Sequence, residues 1–426
     1  MNWTPPLADY ASPPLRSSVI PVDHEQENFI RNAKFSPDGT SILALSETPA
    51  IRVLDLDSKD LLCESDPARR PTERIFTQAA PVLDAIWYPT ASSQDPASYC
   101  FVASVRECPV KLIDASDGRL RASYSIVDHR ERQVSPHSLV FDVMAQTLYC
   151  GFEDAIEIFD VNRPGQEGRR LRTTPSKKSR DGLKGIISSL AFCPSYDHSI
   201  LAAGSFTPSE SNIMLLSEET PILSVGGGPR AGVSQLSFSP TQTHILLASY
   251  RQNESIYAWD IRGSAEKPVA VYSYGSSMAG CARRRRLTNQ RTRFSIDWSG
   301  RWLATGDQRG DIHVFDIGSH SVSKEEDSSF VDTKETSPCR TFSAHKDAIG
   351  SVSFNNYHPV LLSAAGSRHF ADDVDTDSDE AFDEEDVERV LKGEKQLVPW
   401  IEESSLGLWN FLSQSPNEQS TDTHAP

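Results

Sequence analysis

The stretch Asn28-Phe29-Ile30-Arg31-Asn32-Ala33-Lys34-Phe35-Ser36-Pro37-Asp38-Gly39 decides the fold. It alternates apolar and polar residues up to Phe35, and its last four residues are typical of a turn between two strands. A second apolar segment follows at Ser41–Ser46, and a third ends at Leu54-Asp55. Three short segments with period-two alternation, separated by turns, predict consecutive strands of one antiparallel sheet.

This three-segment unit recurs along the whole chain. The copies start near Asn28, Val82, Pro136, Ile186, Val233, Arg293 and Ile349, and most end roughly 45 to 60 residues after the end of the preceding copy. WD-repeat blades have a period of ~40–45 residues, so most copies carry loop insertions. One four-stranded sheet cannot bury both of its faces, so the copies must stack in a ring. The sequence therefore predicts an all-β fold, a seven-bladed WD-repeat β-propeller, in preference to a two-sheet sandwich.

The repeats divide the chain into three predicted parts. Residues 1–27 form an N-terminal extension, residues 28–412 form the propeller with an acidic insertion at about 371–395, and residues 413–426 form a disordered tail. Thr341-Phe342-Ser343-Ala344-His345 has the pattern of the outer strand of the sixth blade, so the seventh blade lacks a local outer strand. We therefore expect Leu15–Val22 to supply that strand and to join the two ends of the chain.

Charge is segregated along the chain. The net charge is -17, yet residues 372–388 alone contain 11 acidic and no basic residues. Residues 283–293 contain six arginines and no acidic residue. Because the field near a surface follows local clusters, the acidic average does not exclude a nucleic-acid partner.

Several function classes find no support in the sequence. No apolar run approaches the ~20 residues of a membrane span, and no secretory signal begins the chain. The seven cysteines are scattered without a C-x-x-C pair, which argues against zinc or a disulfide framework and favours a reducing compartment. The chain lacks G-x-S-x-G, H-E-x-x-H and Walker A motifs. We therefore expect no enzyme activity, no metal and no cofactor.

Two charged segments suggest binding or modification. In a predicted loop before the sixth blade lie Arg283, Arg284, Arg285 and Arg286, where guanidinium groups suit phosphate contacts with RNA. A nuclear-import signal is the equal alternative, and a solvated loop without a binding role is the third. Thr376 and Ser378 lie between acidic residues, so an acidophilic kinase is a candidate to phosphorylate them.

Several segments, taken in order along the chain, carry a specific pattern. They are Asn28–Gly39, Asp84–Pro89, Ala103–Val110, Asp117–Tyr124, His137–Leu139, Tyr149–Phe152, Gly185–Ser188, and Asn289–Arg291 with Phe294 and Asp297. In this order they resemble the telomerase Cajal body protein family, WD-repeat chaperones of small Cajal-body RNAs. The acidic insertion in the last blade also lies where that family has one. The resemblance covers roughly residues 28 to 412.

The resemblance implies a function for the predicted ring. Family members bind H/ACA-type RNAs, associate with the telomerase RNA particle and its proteins, deliver such particles to a nuclear body, and fold with the help of the cytosolic chaperonin. The sequence is similar to a divergent, fungal-like member, and a budding-yeast relative is linked to pre-mRNA splicing. We accordingly expect a monomeric, non-catalytic scaffold for small Cajal-body RNAs and telomerase RNA, located in the nucleus with some in the cytoplasm. The alternative is a protein-interaction scaffold in splicing that does not touch RNA.

Three further arginines are the candidate RNA contacts. Arg106 and Arg291 lie in segments that match the family, and Arg251 follows the second predicted strand of the fifth blade. Each is expected in a loop beside a blade strand, where a guanidinium can reach a base edge or a phosphate.

Overall fold

A computed structural model describes residues 8–22, 28–64, 70–176, 179, 181–196, 199–263, 265–275, 289–318, 333–369 and 401–411. The described chain forms seven β-sheets and one short helix, α1 (Ser58–Leu61), which Asp57 caps through its side chain. The predicted seven-bladed propeller is confirmed. Arg283, Arg284, Arg285, Arg286, Thr376, Ser378 and the segments 371–395 and 413–426 lie outside the described residues.

In each blade the strands follow one another in chain order from the channel outwards. The exception is β1 (Arg16–Pro21), which belongs to the last blade. Blade 1 has β2 (Ile30–Phe35), β3 (Ser41–Ser46), β4 (Ala50–Asp55) and β5 (Thr72–Thr77). Blade 2 has β6 (Val82–Trp87), β7 (Cys100–Val105), β8 (Val110–Asp114) and β9 (Leu120–Tyr124). Blade 3 has β10 (Ser138–Phe141), β11 (Thr147–Phe152), β12 (Ala155–Asp160) and β13 (Arg169–Arg172).

The remaining blades follow the same order. Blade 4 has β14 (Ile187–Phe192), β15 (Ile200–Ser205), β16 (Ile213–Ser217) and β17 (Thr220–Val225). Blade 5 has β18 (Val233–Phe238), β19 (Ile245–Tyr250), β20 (Ser255–Asp260) and β21 (Ala270–Ser273). Blade 6 has β22 (Ser295–Ile296), β23 (Trp302–Gly306) and β24 (Asp311–Asp316), followed after β25 (Lys334–Thr336) by β26 (Arg340–Ser343). Blade 7 has β27 (Ile349–Phe354), β28 (Val360–Ala365) and β29 (Ser405–Asn410).

The N-terminal segment supplies the outer strand of blade 7. β1 pairs antiparallel with β29 from Arg16↔Asn410 to Pro21↔Ser405. Just before it, the buried Tyr10 ring lies 4.8 Å from the rings of both Phe354 and Phe411. The first described residues of the chain thus hold the last blade, as in the arrangement expected for Leu15–Val22.

The two faces of the ring carry different loops. We call the face at which each inner strand begins the top face and the opposite face the bottom face. Because successive strands are antiparallel, the top face carries the loops that precede inner strands and the loops between second and third strands. The loops between first and second strands, and between third and fourth strands, lie on the bottom face.

Side chains of one inner strand satisfy the backbone of the next around the channel. An inner strand has one edge without a sheet neighbour, and its N–H groups need other partners. The Oγ of Ser189 accepts from the Leu236 N–H at 2.8 Å, the Oγ of Ser351 from the Ala33 N–H at 2.8 Å, the Oε1 of Gln235 from the Phe294 N–H at 2.9 Å, and the Oδ2 of Asp84 from the Leu139 N–H at 3.1 Å.

Blade 5 has one strand more than the other described sheets. β25 comes from the long connection between β24 and β26 and pairs in parallel with β21, from Ala270↔Lys334 to Tyr272↔Thr336. The period of the repeats did not predict this strand, because it belongs to an insertion and pairs with a different blade.

Two negative findings apply to the described ranges alone. They contain no helix that is long and apolar enough to cross a membrane. They also contain no group of three or more His, Cys, Asp or Glu side chains placed to hold a metal ion.

Candidate nucleic-acid interface

The three predicted arginines with described positions all lie on the top face. Arg106 directly follows β7, Arg251 directly follows β19, and Arg291 precedes β22. The backbone N–H of Arg106 donates to the Pro81 carbonyl at 3.0 Å, and that of Arg251 donates to the Gly232 carbonyl at 2.9 Å. These bonds tie the end of each second strand to the loop that enters its own blade. Residues far apart in the chain therefore come together at the top mouth of the channel.

Neighbouring residues fix the orientation of the Arg251 guanidinium. Its guanidinium lies over the Phe206 ring, 4.5 Å from the centroid, and its Nη2 donates to the Asn289 carbonyl at 2.6 Å. Its Nε is buried and has no hydrogen-bond partner among the described residues. Burial lowers the pKa of Arg251 below its usual value. One face and one edge of the guanidinium are thus fixed by the protein.

Arg291 is a largely buried cation among like charges. Burial is the main reason that its pKa falls to about 10, and the charges of Arg293, Arg251 and Arg31 lower it further. No described residue accepts a hydrogen bond from its guanidinium. The charge of Asp84 opposes these shifts. A largely buried cation is costly where like charges outnumber opposite ones, and a further anion at this position would lower that cost.

Arg106 extends the same positive field. Its side chain is exposed. Its charge, together with that of Arg291, lowers the pKa of His137, although burial is the larger cause. The neutral imidazole at pH 7 is consistent with a locally positive surface. The structure therefore brings Arg106, Arg251 and Arg291 into one electrostatic neighbourhood.

Sequence analysis counted Arg293 among the arginines of residues 283–293 but did not predict that it lies at the centre of this neighbourhood. Arg293 reaches across the channel to Asp84, with Nη2 and Oδ1 3.4 Å apart and both side chains nearly buried. Arg31 donates to the Val82 carbonyl at 2.6 Å and lies 3.2 Å from the Glu47 carboxylate.

Lys34 is the second group that sequence analysis missed. Burial, and then the charge of Arg293, lower the pKa of Lys34 to about 8, while Asp84 opposes this shift. A Lys with this pKa changes its charge just above physiological pH.

A comparison of the repeats contains the signal that would have found Asp84. The inner strands β2, β6, β14, β18 and β27 share a register shift after their first residue. The residue after the shift is neutral in four of them and carboxylate in one: Asn32, Asp84, Ser189, Gln235 and Ser351. Asp84 keeps the structural role of this position, since it accepts from the Leu139 N–H, and it adds a charge that the other four residues lack.

We call the following set the mouth cluster. It is joined by mutual electrostatic interactions and contains seven permanent or titratable cations, two carboxylates and one neutral imidazole. Its members are Arg31, Lys34, Arg106, Arg251, Arg291, Arg293 and Arg368, with Asp84 and Glu47, and with His137. The cationic surplus in a partly dehydrated mouth suits a polyanion.

Comparison with known proteins identifies relatives over most of the chain. Residues 336–370 match the family described as WD domain, G-beta repeat. The chain is 30% identical to Telomerase Cajal body protein 1 of Rattus norvegicus over 359 residues, which is 84% of this chain and 62% of the relative. It is 29% identical to the protein of the same name in Bos taurus over 409 residues, covering 94% of this chain and 68% of the relative.

A more distant match comes from a fungus. The chain is 27% identical over 285 residues to the Guanine nucleotide-binding protein negative regulator 1 of Schizosaccharomyces pombe, covering 66% of this chain and 68% of that protein. The chain spans about 62% of the length of the first curated relatives it matches. The resemblance predicted from the repeat segments is confirmed: the chain is a WD-repeat propeller similar over most of its length to the telomerase Cajal body proteins.

Proposed function

We propose that this WD-repeat scaffold binds RNA through the mouth cluster and acts without catalysis. The single observation that carries the proposal is the surplus of seven cations over two carboxylates in the mouth cluster, where no described residue accepts a hydrogen bond from the Arg291 guanidinium. Guanidinium groups bind phosphate through two parallel donors, and they stack on bases as well. Arg106, Arg251 and Arg291 are the proposed contacts.

The proposed ligand is a single-stranded loop of a small nuclear RNA of the H/ACA type. A loop can enter a channel mouth because its unpaired bases are accessible, whereas an A-form helix presents mainly its backbone. The relatives that carry the name telomerase Cajal body protein support small Cajal-body RNAs and telomerase RNA as the class, with proteins of those particles as further partners. The proposed location is a nuclear body with a cytoplasmic fraction, and folding is proposed to use the cytosolic chaperonin.

The Arg-rich segment belongs to the same proposal. The described residues that flank it, Gly275 and Asn289, lie on the top face, and Asn289 binds Arg251 and Gln252 through its carbonyl and its amide oxygen. Arg283, Arg284, Arg285 and Arg286 are proposed as additional phosphate contacts, with nuclear import as the alternative role.

The test measures binding of a box H/ACA hairpin and of a single-stranded oligoribonucleotide by filter binding over a range of salt. Arg106→Ala, Arg251→Ala and Arg291→Ala are each expected to weaken binding by ~1–3 kcal/mol where the contact is bidentate. Loss of one phosphate contact should also flatten the dependence of log affinity on log salt by about 0.7 for a single strand. The matched control is Arg262→Ala, an exposed arginine paired with Asp260 on the bottom face.

Two results would contradict the proposal. Equal affinity of the wild type and all three top-face variants would exclude the mouth cluster as the RNA site. Absence of any RNA binding at low salt, with protein partners captured at unchanged affinity at high salt, would favour the splicing-related protein scaffold instead.

A further inference from the structure

The bottom face has a pocket of about 280 Å³ between blades 3 and 4, which we call the rim pocket. Its floor is apolar and consists of Tyr149, Phe192, Leu201 and Leu216. The Tyr149 and Phe192 rings are 5.2 Å apart between centroids and tilted by 54°. These side chains belong to the apolar cluster that joins the two blades or pack against it. The rim pocket is therefore the open bottom end of an inter-blade interface.

The edge of the rim pocket is acidic. Glu218 and Glu219 form the two-residue loop between β16 and β17, and both line the pocket. Arg169 of β13 pairs with Glu219 across the opening. Glu218 is exposed, and no described residue pairs with its carboxylate. Burial, and then the charge of nearby Asp142, raise the pKa of Tyr149, while the charge of Arg169 opposes this shift, so a third carboxylate acts on the pocket.

The loop that supplies these carboxylates is conformationally unfavourable. Glu218 has φ 47° and Glu219 has φ 68°, so two successive residues with a Cβ lie in the left-handed region. Two-residue hairpin loops of this shape favour Asn-Gly, because left-handed conformations strain most other residues. A glutamate pair at this loop therefore weakens the hairpin and in exchange places two carboxylates above an aromatic floor.

We propose that the rim pocket binds an arginine side chain presented by an exposed segment of a partner protein. A guanidinium stacks on aromatic rings and pairs with carboxylates in one plane, and the pocket offers both. The volume holds roughly nine waters at ~30 Å³ each, which suits one long side chain. The ion pair of Arg169 with Glu219 is an internal example of the same recognition, and it leaves Glu218 for the incoming group.

The surroundings favour a protein segment over a free small molecule. The bottom-face loops of blades 3 and 4 expose Met144, at 61% of its surface, and Tyr196, at 82%. These two apolar side chains lie on the adjacent first-to-second-strand loops and can contact the residues that flank the bound arginine. The charge of the pocket complements a basic segment and repels an RNA backbone, so this site is separate from the mouth cluster.

The chain offers a direct probe of the rim pocket. It has four methionines, of which Met144 lies in the loop of Asp142 and Met214 belongs to the apolar cluster under the pocket floor. Protein labelled with [13C-methyl]methionine is titrated with the peptide Ac-Gly-Gly-Arg-Gly-Gly-amide and with the same peptide carrying neutral citrulline. We expect the Met144 and Met214 signals to shift with the arginine peptide and to remain in place with the citrulline peptide.

The decisive variant is E218N/E219G, which gives the loop its preferred residues. Because it relieves the left-handed glutamates, we expect its Tm to rise while binding of the arginine peptide weakens at least fivefold. Asp117→Asn, in the corresponding loop of blade 2, is the matched control and should bind like the wild type. The proposal is overturned if neither methyl signal moves, if citrulline binds as well as arginine, or if E218N/E219G keeps wild-type affinity.

Discussion

The mouth cluster and the rim pocket are built on the same repeat but have opposite charge. In the mouth cluster, seven cations meet two carboxylates, and burial lowers the pKa of Lys34 and Arg291. At the rim pocket on the bottom face, three carboxylates act around a single arginine. An overall charge of -17 describes neither region.

The difference follows from the meander of each blade. Antiparallel strands send alternate loops to opposite faces, so a substitution in one loop changes one face and leaves the other unchanged. Two ligands of opposite charge can therefore use one rigid ring without competing. This independence requires that the ring is closed and that the two regions titrate separately. Both conditions can be tested.

The largest expected effect comes from breaking the ring itself. Deletion of residues 1–22 removes the outer strand of blade 7 and the buried side chains of Tyr10, Ile20 and Val22. Burial of three large apolar side chains contributes roughly 5–9 kcal/mol, comparable to the whole stability of a domain. The truncated chain is expected to lose its cooperative thermal transition and to lose binding of RNA and of the arginine peptide together.

A matched pair on β1 separates closure from truncation. Ile20 is buried and Val19 is half exposed on the same strand. Ile20→Ala should lower the free energy of unfolding by ~2–5 kcal/mol in denaturant titrations, and Val19→Ala should change it by about 0.5 kcal/mol or less. Equal effects of the two substitutions would mean that β1 does not close the ring through its buried face.

Local regularity explains how far sequence analysis reached. Alternation and the turn after Phe35 are encoded within a few residues, so the blades and the ends of third strands such as Asp55 and Asp316 could be predicted. Contacts such as Arg293 with Asp84 join residues 209 apart and depend on how seven blades close. Glu218 and Glu219 adopt left-handed conformations where Asn-Gly is the usual choice, so sequence rules do not predict a two-residue loop there.

The candidate site was predicted in part for the same reason. Arg106, Arg251 and Arg291 could be chosen because each adjoins a predicted strand end. Lys34 could not, because a lysine within a strand pattern is ordinarily an exposed residue. The low pKa of Lys34 arises only in the closed ring, where Lys34 is buried and Asp84 of blade 2 and Arg293 before blade 6 act on it.

The second prediction concerns pH and distinguishes the two regions. Lys34 has a pKa of about 8, so it loses its charge as the pH rises from 7 to 9. RNA affinity should fall roughly threefold to tenfold over this interval, because one cation leaves the mouth cluster. Binding of the arginine peptide should stay constant, since glutamate and arginine keep their charges throughout. Lys34→Met should bind RNA more weakly at pH 7 and show no such pH dependence.

Stability should respond to the same group with the opposite sign. Between pH about 8 and about 10 the folded protein binds fewer protons at Lys34 than the unfolded chain does. The contribution of Lys34 to stability therefore increases with pH across this window, while its contribution to RNA binding decreases. If the free energy of unfolding and the RNA affinity changed in the same direction with pH, a group other than Lys34 would control one of them.

The smallest expected effect comes from the single carboxylate at the centre of the mouth cluster. Asp84→Asn gives β6 the side-chain type that Asn32 provides at the corresponding position of β2, and its amide oxygen can still accept from the Leu139 N–H. The charge of Asp84 raises the pKa of both Lys34 and His137, so its removal should lower both. RNA affinity at pH 6 should increase a few-fold, because the mouth loses a repelling charge, and the midpoint of the pH dependence should move below about 8. An unchanged midpoint would show that the charge of Asp84 does not act on Lys34. The mouth cluster would then not be joined by mutual electrostatic interactions, and the proposal for the rim pocket would be unaffected.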